Sequence, residues 1–416
     1  MSTLQETVSG LTRIPFNCCL IGRLQDVCSV KLRAGRIAFL WTPGSGRGYQ
    51  WIVRTVVLSL IFAAFCWDLD AGWSQALPGW NFRFPGDHGN HPGFKTEWWY
   101  FTGNLRSAGG EDFGYQLTFF RQGVREPGAD LATSRFVVSD VKFAHFAVTE
   151  VSAGRFHHFQ RLARGAFGEA GFDDGNRLAW IKGWTCERTG ENAFRLAAAE
   201  EGISIELDLA PAKGPVVHGR NGVSQKAEGE GRASHYYSLP RLETKGRVTV
   251  AGKTFKVSGT SWFDHEWATN QLAAHQKGWD WFSLQLDDGT ELMLFQIRTG
   301  DGKQDPHSSG TFVFEDGSDL QIGQAGFSLE PLAWWRSEKT GANYPVEWRL
   351  AVRALDLNLE IHPRLRGQEL DAKPFTYWEG AIKTSGTRNS KPVEGVGYLE
   401  MTGYAGTILG VQIPGK

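Results

Sequence analysis

The segment Ser261-Trp262-Phe263-Asp264-His265-Glu266-Trp267 sets two carboxylic acids and an imidazole among bulky rings. Side chains alternate along a strand, so Trp262, Asp264 and Glu266 share one face and Phe263, His265 and Trp267 the other. Two carboxyls flanked by indoles are costly to bury unless they are hydrogen-bonded or protonated. An apolar environment and a neighbouring carboxylate both raise a carboxyl pKa, which makes Asp264 a candidate acid near neutral pH. The same pair equally suits pairing with an arginine, or facing water at a barrel rim.

A second cluster is Ser234-His235-Tyr236-Tyr237-Ser238. Here His235 and Tyr237 suit orienting a water or a neighbouring acid, with plain packing as the alternative. An acid among aromatics recurs three times: Glu97 with Trp99, Asp280 with Trp281, and Glu379 with Trp378. Each suits a polar plug in a cavity wall, a salt-bridge partner or a ligand contact. No Gly-x-Ser-x-Gly elbow, His-Glu-x-x-His pair, phosphate loop or dinucleotide fingerprint occurs. No metal or cofactor is expected.

The elements around these residues read as strands. TEWWYFTGNL (96–105) and FGYQLTFFR (113–121), joined by a polar turn, form a hairpin, as do VKFAHFAVTEV (141–151) and RFHHFQRLAR (155–164). SIELDLA (204–210), GRVTVAG (246–252), TFKVSGTSWFDHEW (254–267), WDWFSLQL (279–286) and TELMLFQIR (290–298) continue the series, and more short strands follow. Segments of helical period are scarce, so an all-β fold of closed barrels or sandwiches is predicted. Residues 97–105 can be laid over 278–286, each followed by a turn and a strand ending in Arg, Arg121 or Arg298. That repeat suggests a duplication with its boundary near residue 250. The polar stretch 218–235 reads as a long binding or lid loop.

Composition narrows the classes. Among 416 residues, 44 Lys+Arg nearly balance 45 Asp+Glu, so no basic surface is available for nucleic acid. The 17 Trp, 27 Phe and 51 Gly suit short strands, tight turns and large apolar cavities. The apolar run 55–67, preceded by Arg54, has the length of a signal-peptide core and is short for a bilayer span. Residues 51–76 are therefore expected to be a cleaved leader, cut ahead of Leu77, or an anchor through 55–67. Residues 1–50 stay unassigned, as from a start placed too far upstream. Beyond the leader only Cys186 remains, so no internal disulfide is possible there and thiolate metal sites are excluded.

The blocks HPGFKTEWWYFTGNL, FGYQLTFFR, SWFDHEW, GWDWFSLQLDDGTELMLFQIR, YWEGAIKTSG and GYLEMTGYA resemble the carotenoid 1,2-hydratase (hydroxyneurosporene synthase)/AttH lipocalin-like family. Within it, they are most similar to the exported bacterial branch labelled predicted secreted hydrolase. The resemblance spans roughly residues 78–410. It implies two lipocalin-like β-barrels packed side by side, assigned here to 77–253 and 254–416, with a ligand pocket involving their junction. The family's suggested His-x-Trp and Tyr-x-Asp machinery falls on His235 and Tyr237, then on Trp262 and Asp264. Tyr237 replaces a Trp and Trp262 a Tyr, which keeps the rings and moves the hydroxyl. The implied reaction is cofactor-independent hydration. Asp264 protonates an isoprenoid C=C, Trp262 and Tyr237 stabilise the cation, and His235 places the water. Glu97, Trp99, Glu266, Asp280, Trp281, Trp378 and Glu379 are the expected ligand contacts. The expected partner is a hydrophobic small molecule or lipid, on an exported monomer, periplasmic or secreted. The alternative is a non-catalytic carrier or chaperone serving an envelope transport system.

Overall fold

The computed structural model describes residues 72–127 and 137–406, with the backbone of Lys31–Arg33 and Arg36–Ala38. The expected leader core 55–67 and most of 1–50 lie outside the described residues. The chain divides into Met1–Asp68 and Leu69–Lys416. In the first unit only the antiparallel pair Lys31–Arg33 and Arg36–Ala38 is described.

In the second unit, residues 72–76 pack into the folded body. The Ser74 N–H donates to the Gly93 carbonyl at 2.8 Å, and Ala76 is buried in the core. The folded unit thus begins upstream of Leu77.

Alternating hydrophobic runs broken by Gly, Asp and Asn turns form two antiparallel sheets. The first contains β1 (Thr96–Ser107), β2 (Asp112–Gly123), β3 (Asp140–Glu150), β4 (Arg155–Ala163), β5 (Ala170–Phe172), β6 (Arg177–Ile181), β7 (Trp184–Arg188), β8 (Phe194–Glu200), β9 (Ile203–Pro211), β10 (Ala233–Val250) and β11 (Lys253–Ala268). Their spatial order is β4-β3-β2-β1-β11-β10-β9-β8-β7-β6-β5. The second contains β12 (Gln276–Leu286), β13 (Glu291–Thr299), β14 (Ser309–Val313), β15 (Asp319–Gly323), β16 (Phe327–Arg336), β17 (Asn343–Val352), β18 (Leu357–Pro363), β19 (Glu369–Ala372), β20 (Phe375–Arg388) and β21 (Lys391–Met401). Its order is β15-β14-β13-β12-β21-β20-β18-β17-β16, with β19 on β20. This is the expected pair of lipocalin-like barrels.

The repeat is real at the level of topology. In each sheet the first strand pairs with the second and with the last: β1 with β2 and β11, β12 with β13 and β21. Arg121 stands opposite Glu97, and Arg298 opposite Gly278, as the overlay of 97–105 on 278–286 requires.

The predicted boundary needs correction. β11 pairs with β1 from Val257 to Ala268 and belongs wholly to the first sheet, so that barrel ends at Ala268 rather than at residue 253. The last strand of a duplicated barrel closes back onto the first, and a break in the strand series does not reveal that. The long loop also ends earlier than expected. β10 begins at Ala233, which places His235 on a strand.

β10 carries Pro240 in its interior, a position possible because the ladder with β11 is bulged between Leu239 and Leu242. The bulge turns polar groups toward the second barrel. Gln285 donates to the Pro240 carbonyl at 2.7 Å and to the Ser261 carbonyl at 2.9 Å. Arg241 at 2.5 Å and Lys213 at 2.8 Å both meet the fully buried Glu291.

Each barrel interior is filled by its own core. Trp99, Phe101, Leu117, Phe263 and Trp267 belong to the first, and Phe282, Leu292, Trp348, Trp378 and Leu399 to the second. A third cluster, with Tyr100, Tyr236, Trp262, Trp281, Phe295 and Tyr398, draws on strands of both barrels.

Candidate functional site

That third cluster borders a cavity of about 710 Å³ between the barrels, within the range of small-molecule sites. Strand alternation decides who reaches it. Tyr100 on β1, Tyr236 on β10, Asp264 and Glu266 on β11, Trp279 and Trp281 on β12, Tyr377 and Glu379 on β20, and Glu400 on β21 all line it. Their odd-one-out neighbours point into the barrel cores.

The predicted residues divide by this rule. Asp264, Glu266, Trp281 and Glu379 line the cavity, with Trp262 directly behind Asp264. His235 and Tyr237 do not meet Asp264, because they occupy the opposite face of β10. His235 Nδ1–H donates to the Gly222 carbonyl (2.6 Å) and its ring packs on Trp80, while Tyr237 bonds His88 at 2.5 Å inside the first barrel. Glu97 and Trp99 also point inward, as do Asp280 and Trp378 in the second barrel, where Asp280 pairs with Arg298 at 3.2 Å. These six are corrected from site residues to core residues. Sequence shows an acid beside aromatics, but not which barrel face the acid takes.

Asp264 is cradled. Its Oδ1 accepts from the Trp262 indole N–H at 2.6 Å and from the Ser238 hydroxyl, and its Oδ2 from the Tyr236 hydroxyl at 2.5 Å. Burial raises its pKa, the three donors oppose that rise, and Glu266 adds to it, leaving the group at about 7. The Trp281 indole N–H supports Tyr236 from the second barrel at 3.0 Å. Glu266 accepts from Gln271 at 2.9 Å and lies 3.4 Å from the Lys226 ammonium. Lys226, brought in by the 212–232 loop, sits 3.9 Å over the Phe295 ring, and burial lowers its pKa.

The wall opposite carries Glu379 and Glu400, cross-strand partners on β20 and β21. Glu379 Oε1 accepts from the Tyr100 hydroxyl at 2.5 Å, while its buried Oε2 has no partner among the described residues. Burial and the neighbouring Glu400 hold Glu379 well above the carboxylate range. Burial lifts Glu400 to about 8. The registers make Glu400 the second-barrel counterpart of Asp264, since it stands opposite Trp281 as Asp264 stands opposite Tyr100. The cavity therefore presents carboxyls that keep protons near neutrality, on walls of aromatic rings.

Sequence reading missed Tyr236, Ser238, Tyr100, Tyr377, Lys226 and Glu400. Tyr236 and Ser238 lay within the quoted SHYYS cluster at the other parity; Glu400 was recoverable from the repeat, had it been extended to the last strand.

A group with metal-type ligand atoms exists inside the first barrel: His91, Glu97 and His265. Glu97 already accepts from Arg121 (3.1 Å), His91 (2.7 Å) and His265 (3.0 Å), so its oxygens are saturated by the protein.

A family model described as AttH-like matches residues 75–404. The crystal structure of a Nitrosomonas europaea protein described as an AttH is 34% identical, with a TM-score of 0.72, covering 80% of this chain and 99% of that one. Kievitone hydratase of Fusarium solani subsp. phaseoli is 22% identical over 220 residues, 50% of this chain and only 59% of that protein. The crystal structure of kievitone hydratase from Nectria haematococca has a TM-score of 0.62 at 15% identity, covering 80% and 97% of the two chains, a likeness of fold. With the match running through both barrels and the junction, the chain belongs to the AttH-like family.

Proposed function

We propose that the chain is an exported, cofactor-independent hydro-lyase that encloses a hydrophobic lipid or isoprenoid ligand at the barrel junction and adds water across one of its C=C bonds. The observation that carries this reading is Asp264, a buried carboxyl poised near neutral pH among apolar rings and held by three donors. The likeness to a protein named a hydratase supports the reaction class, and the apolar run 55–67 supports export.

The chemistry follows from the geometry. The Asp264 O–H gives its proton to an alkene carbon, and the electron pair of the C=C forms the new C–H bond. The positive charge left on the other carbon faces the rings of Trp281, Tyr236 and Tyr100, which attract it through their π faces. Meanwhile the Asp264 carboxylate is stabilised by Ser238, Tyr236 and Trp262, donors already in place before charge develops. Water then bonds to the cation and gives up one proton, and the Asp264 carboxylate takes one up, so the reaction consumes none overall.

The test is extraction and mass spectrometry of what co-purifies with the protein from its host's envelope, for the wild type and Asp264→Asn. The expected result is an unsaturated ligand in the variant and its hydrate, heavier by one water, with the wild type. The same unaltered lipid at equal occupancy in both proteins would reverse the enzymatic reading in favour of a carrier, one serving an envelope transport system.

A further inference from the structure

Asp264 is the end of a hydrogen-bonded chain that leaves the cavity and crosses from one barrel to the other. The Ser238 hydroxyl bonds Asp264 Oδ1, and the His218 Nε2 lies 2.6 Å from the Ser238 Oγ. The other ring nitrogen, Nδ1, lies 2.8 Å from the Thr311 hydroxyl on β14. Thr311 continues at 3.0 Å to the Gln321 side-chain oxygen on β15, which also accepts from the Gly219 N–H at 3.0 Å. His218, Ser238 and Thr311 are fully buried, whereas Gln321 reaches the surface. None of the three buried residues lines the cavity.

We propose that His218 is a positioning residue for Asp264, its neutral tautomer following the protonation state of that acid through Ser238 on one side and Thr311 on the other. This rests on Asp264 being the acid of the proposed reaction, and it assigns the group that keeps Ser238 matched to both forms of that acid behind an apolar pocket.

The chain has two self-consistent directions. With Asp264 protonated, Asp264 donates to Ser238 and Ser238 to His218 Nε2, while His218 Nδ1–H donates to Thr311 and Thr311 to Gln321. With Asp264 ionised, every bond but the last reverses: Thr311 donates to Nδ1, Nε2–H to Ser238, and Ser238 to Asp264, while Gly219 still satisfies Gln321. Between these two end states Asp264 gains one proton from solvent, and the imidazole hydrogen sits on Nε2 before and on Nδ1 after. The imidazole ends neutral in both states and changes tautomer. Burial, reinforced by the Lys226 charge, keeps His218 far below its usual pKa, which favours neutral tautomers over a resident imidazolium. The charged and titratable groups facing this end of the cavity are Lys226 from the loop, Glu266 from β11, Tyr236 from β10 and Glu400 from β21.

A structural role alone would fix one tautomer, so the tautomer is the readout. Nitrogen-15 histidine spectra of the whole protein, taken on both sides of the Asp264 midpoint near 7, resolve which ring nitrogen of each histidine carries hydrogen. His218→Gln identifies the signal; Thr311→Val, which disturbs only the Nδ1 side, identifies it if that variant does not fold. The expected result is a neutral His218 that changes from the Nδ1–H form at low pH to the Nε2–H form at high pH. The change should share the Asp264 midpoint, and Asp264→Asn or Ser238→Ala should abolish it. A tautomer unchanged across that range, a switch that survives both variants, or an imidazolium in place of a tautomer change would overturn this coupling. Failure of the hydratase reading shows separately, as no hydrate in the extracted ligand while the tautomer switch persists.

Discussion

The interior of the first barrel and the junction cavity both hold buried acids among tryptophans, yet the two regions treat them in opposite ways. Inside the barrel, burial would raise the Glu97 carboxyl, but His91, His265 and Arg121 outweigh it and hold it below the carboxylate range. His91 in turn is raised to about 9, burial opposing and Glu97 favouring its charge. At the junction, no arginine among the described residues pairs with Asp264, Glu379 or Glu400, and burial prevails. Aromatic company is common to both regions. Direct ion pairs separate the Glu97 carboxylate from these three carboxyls, which keep their protons.

The largest effect expected from that contrast is on stability. Glu97→Gln removes the acid from a buried ion cluster and strands Arg121, a change worth about 3–5 kcal/mol. Glu379→Gln replaces a group that is already neutral and keeps an oxygen for Tyr100, so a cost within about 1 kcal/mol is expected. Denaturant melts at pH 7 check the pair; equal losses would erase the distinction between the regions.

The pH dependence should differ in sign. Glu97 has a depressed folded pKa, so its contribution is present above the unfolded value and is lost as pH falls through the folded one. Glu400 has a folded pKa raised from 4.5 to about 8. Its unfolded form ionises first, so the protein loses stability as pH climbs from 4.5 toward 8. Glu400→Gln should therefore be more stable than the wild type above pH 8, by on the order of 5 kcal/mol. The advantage should vanish below pH 4.5. Thermal melts of both proteins across that window read the difference, and a gap independent of pH would contradict a protonated Glu400.

The smallest effect sharpens the description of Asp264. Tyr236→Phe deletes one donor to the carboxylate, so the Asp264 midpoint should rise by about one unit. Nuclear magnetic resonance titration of the carboxyl carbon reads that shift; a fall would mean that Tyr236 bonds the protonated acid instead.

Much of this was legible in the chain. Strand alternation in 261–267 correctly separated Trp262, Asp264 and Glu266 from Phe263, His265 and Trp267, and the 97–105/278–286 repeat marked the strands that open each barrel. What stayed hidden was parity at sites without such a pattern. His235 and Tyr237 lie beside Tyr236 and Ser238 in sequence, but a shift of one residue along a strand moves a side chain to the other face. His218 and Lys226 come from an irregular loop, whose path no periodicity encodes. Glu400 follows an unremarkable Tyr-Leu pair, and only its pairing with Trp281 and Glu379 marks it.

The most direct measurement is infrared titration of protonated carboxyl groups in the wild type and in Asp264→Asn. The account predicts a carboxylic-acid carbonyl band that titrates with a midpoint near 7 and is missing from the variant. A wild type with no component titrating near 7 beside the bands of Glu379 and Glu400, or such a component left intact by Asp264→Asn, would contradict Asp264 as the junction's acid.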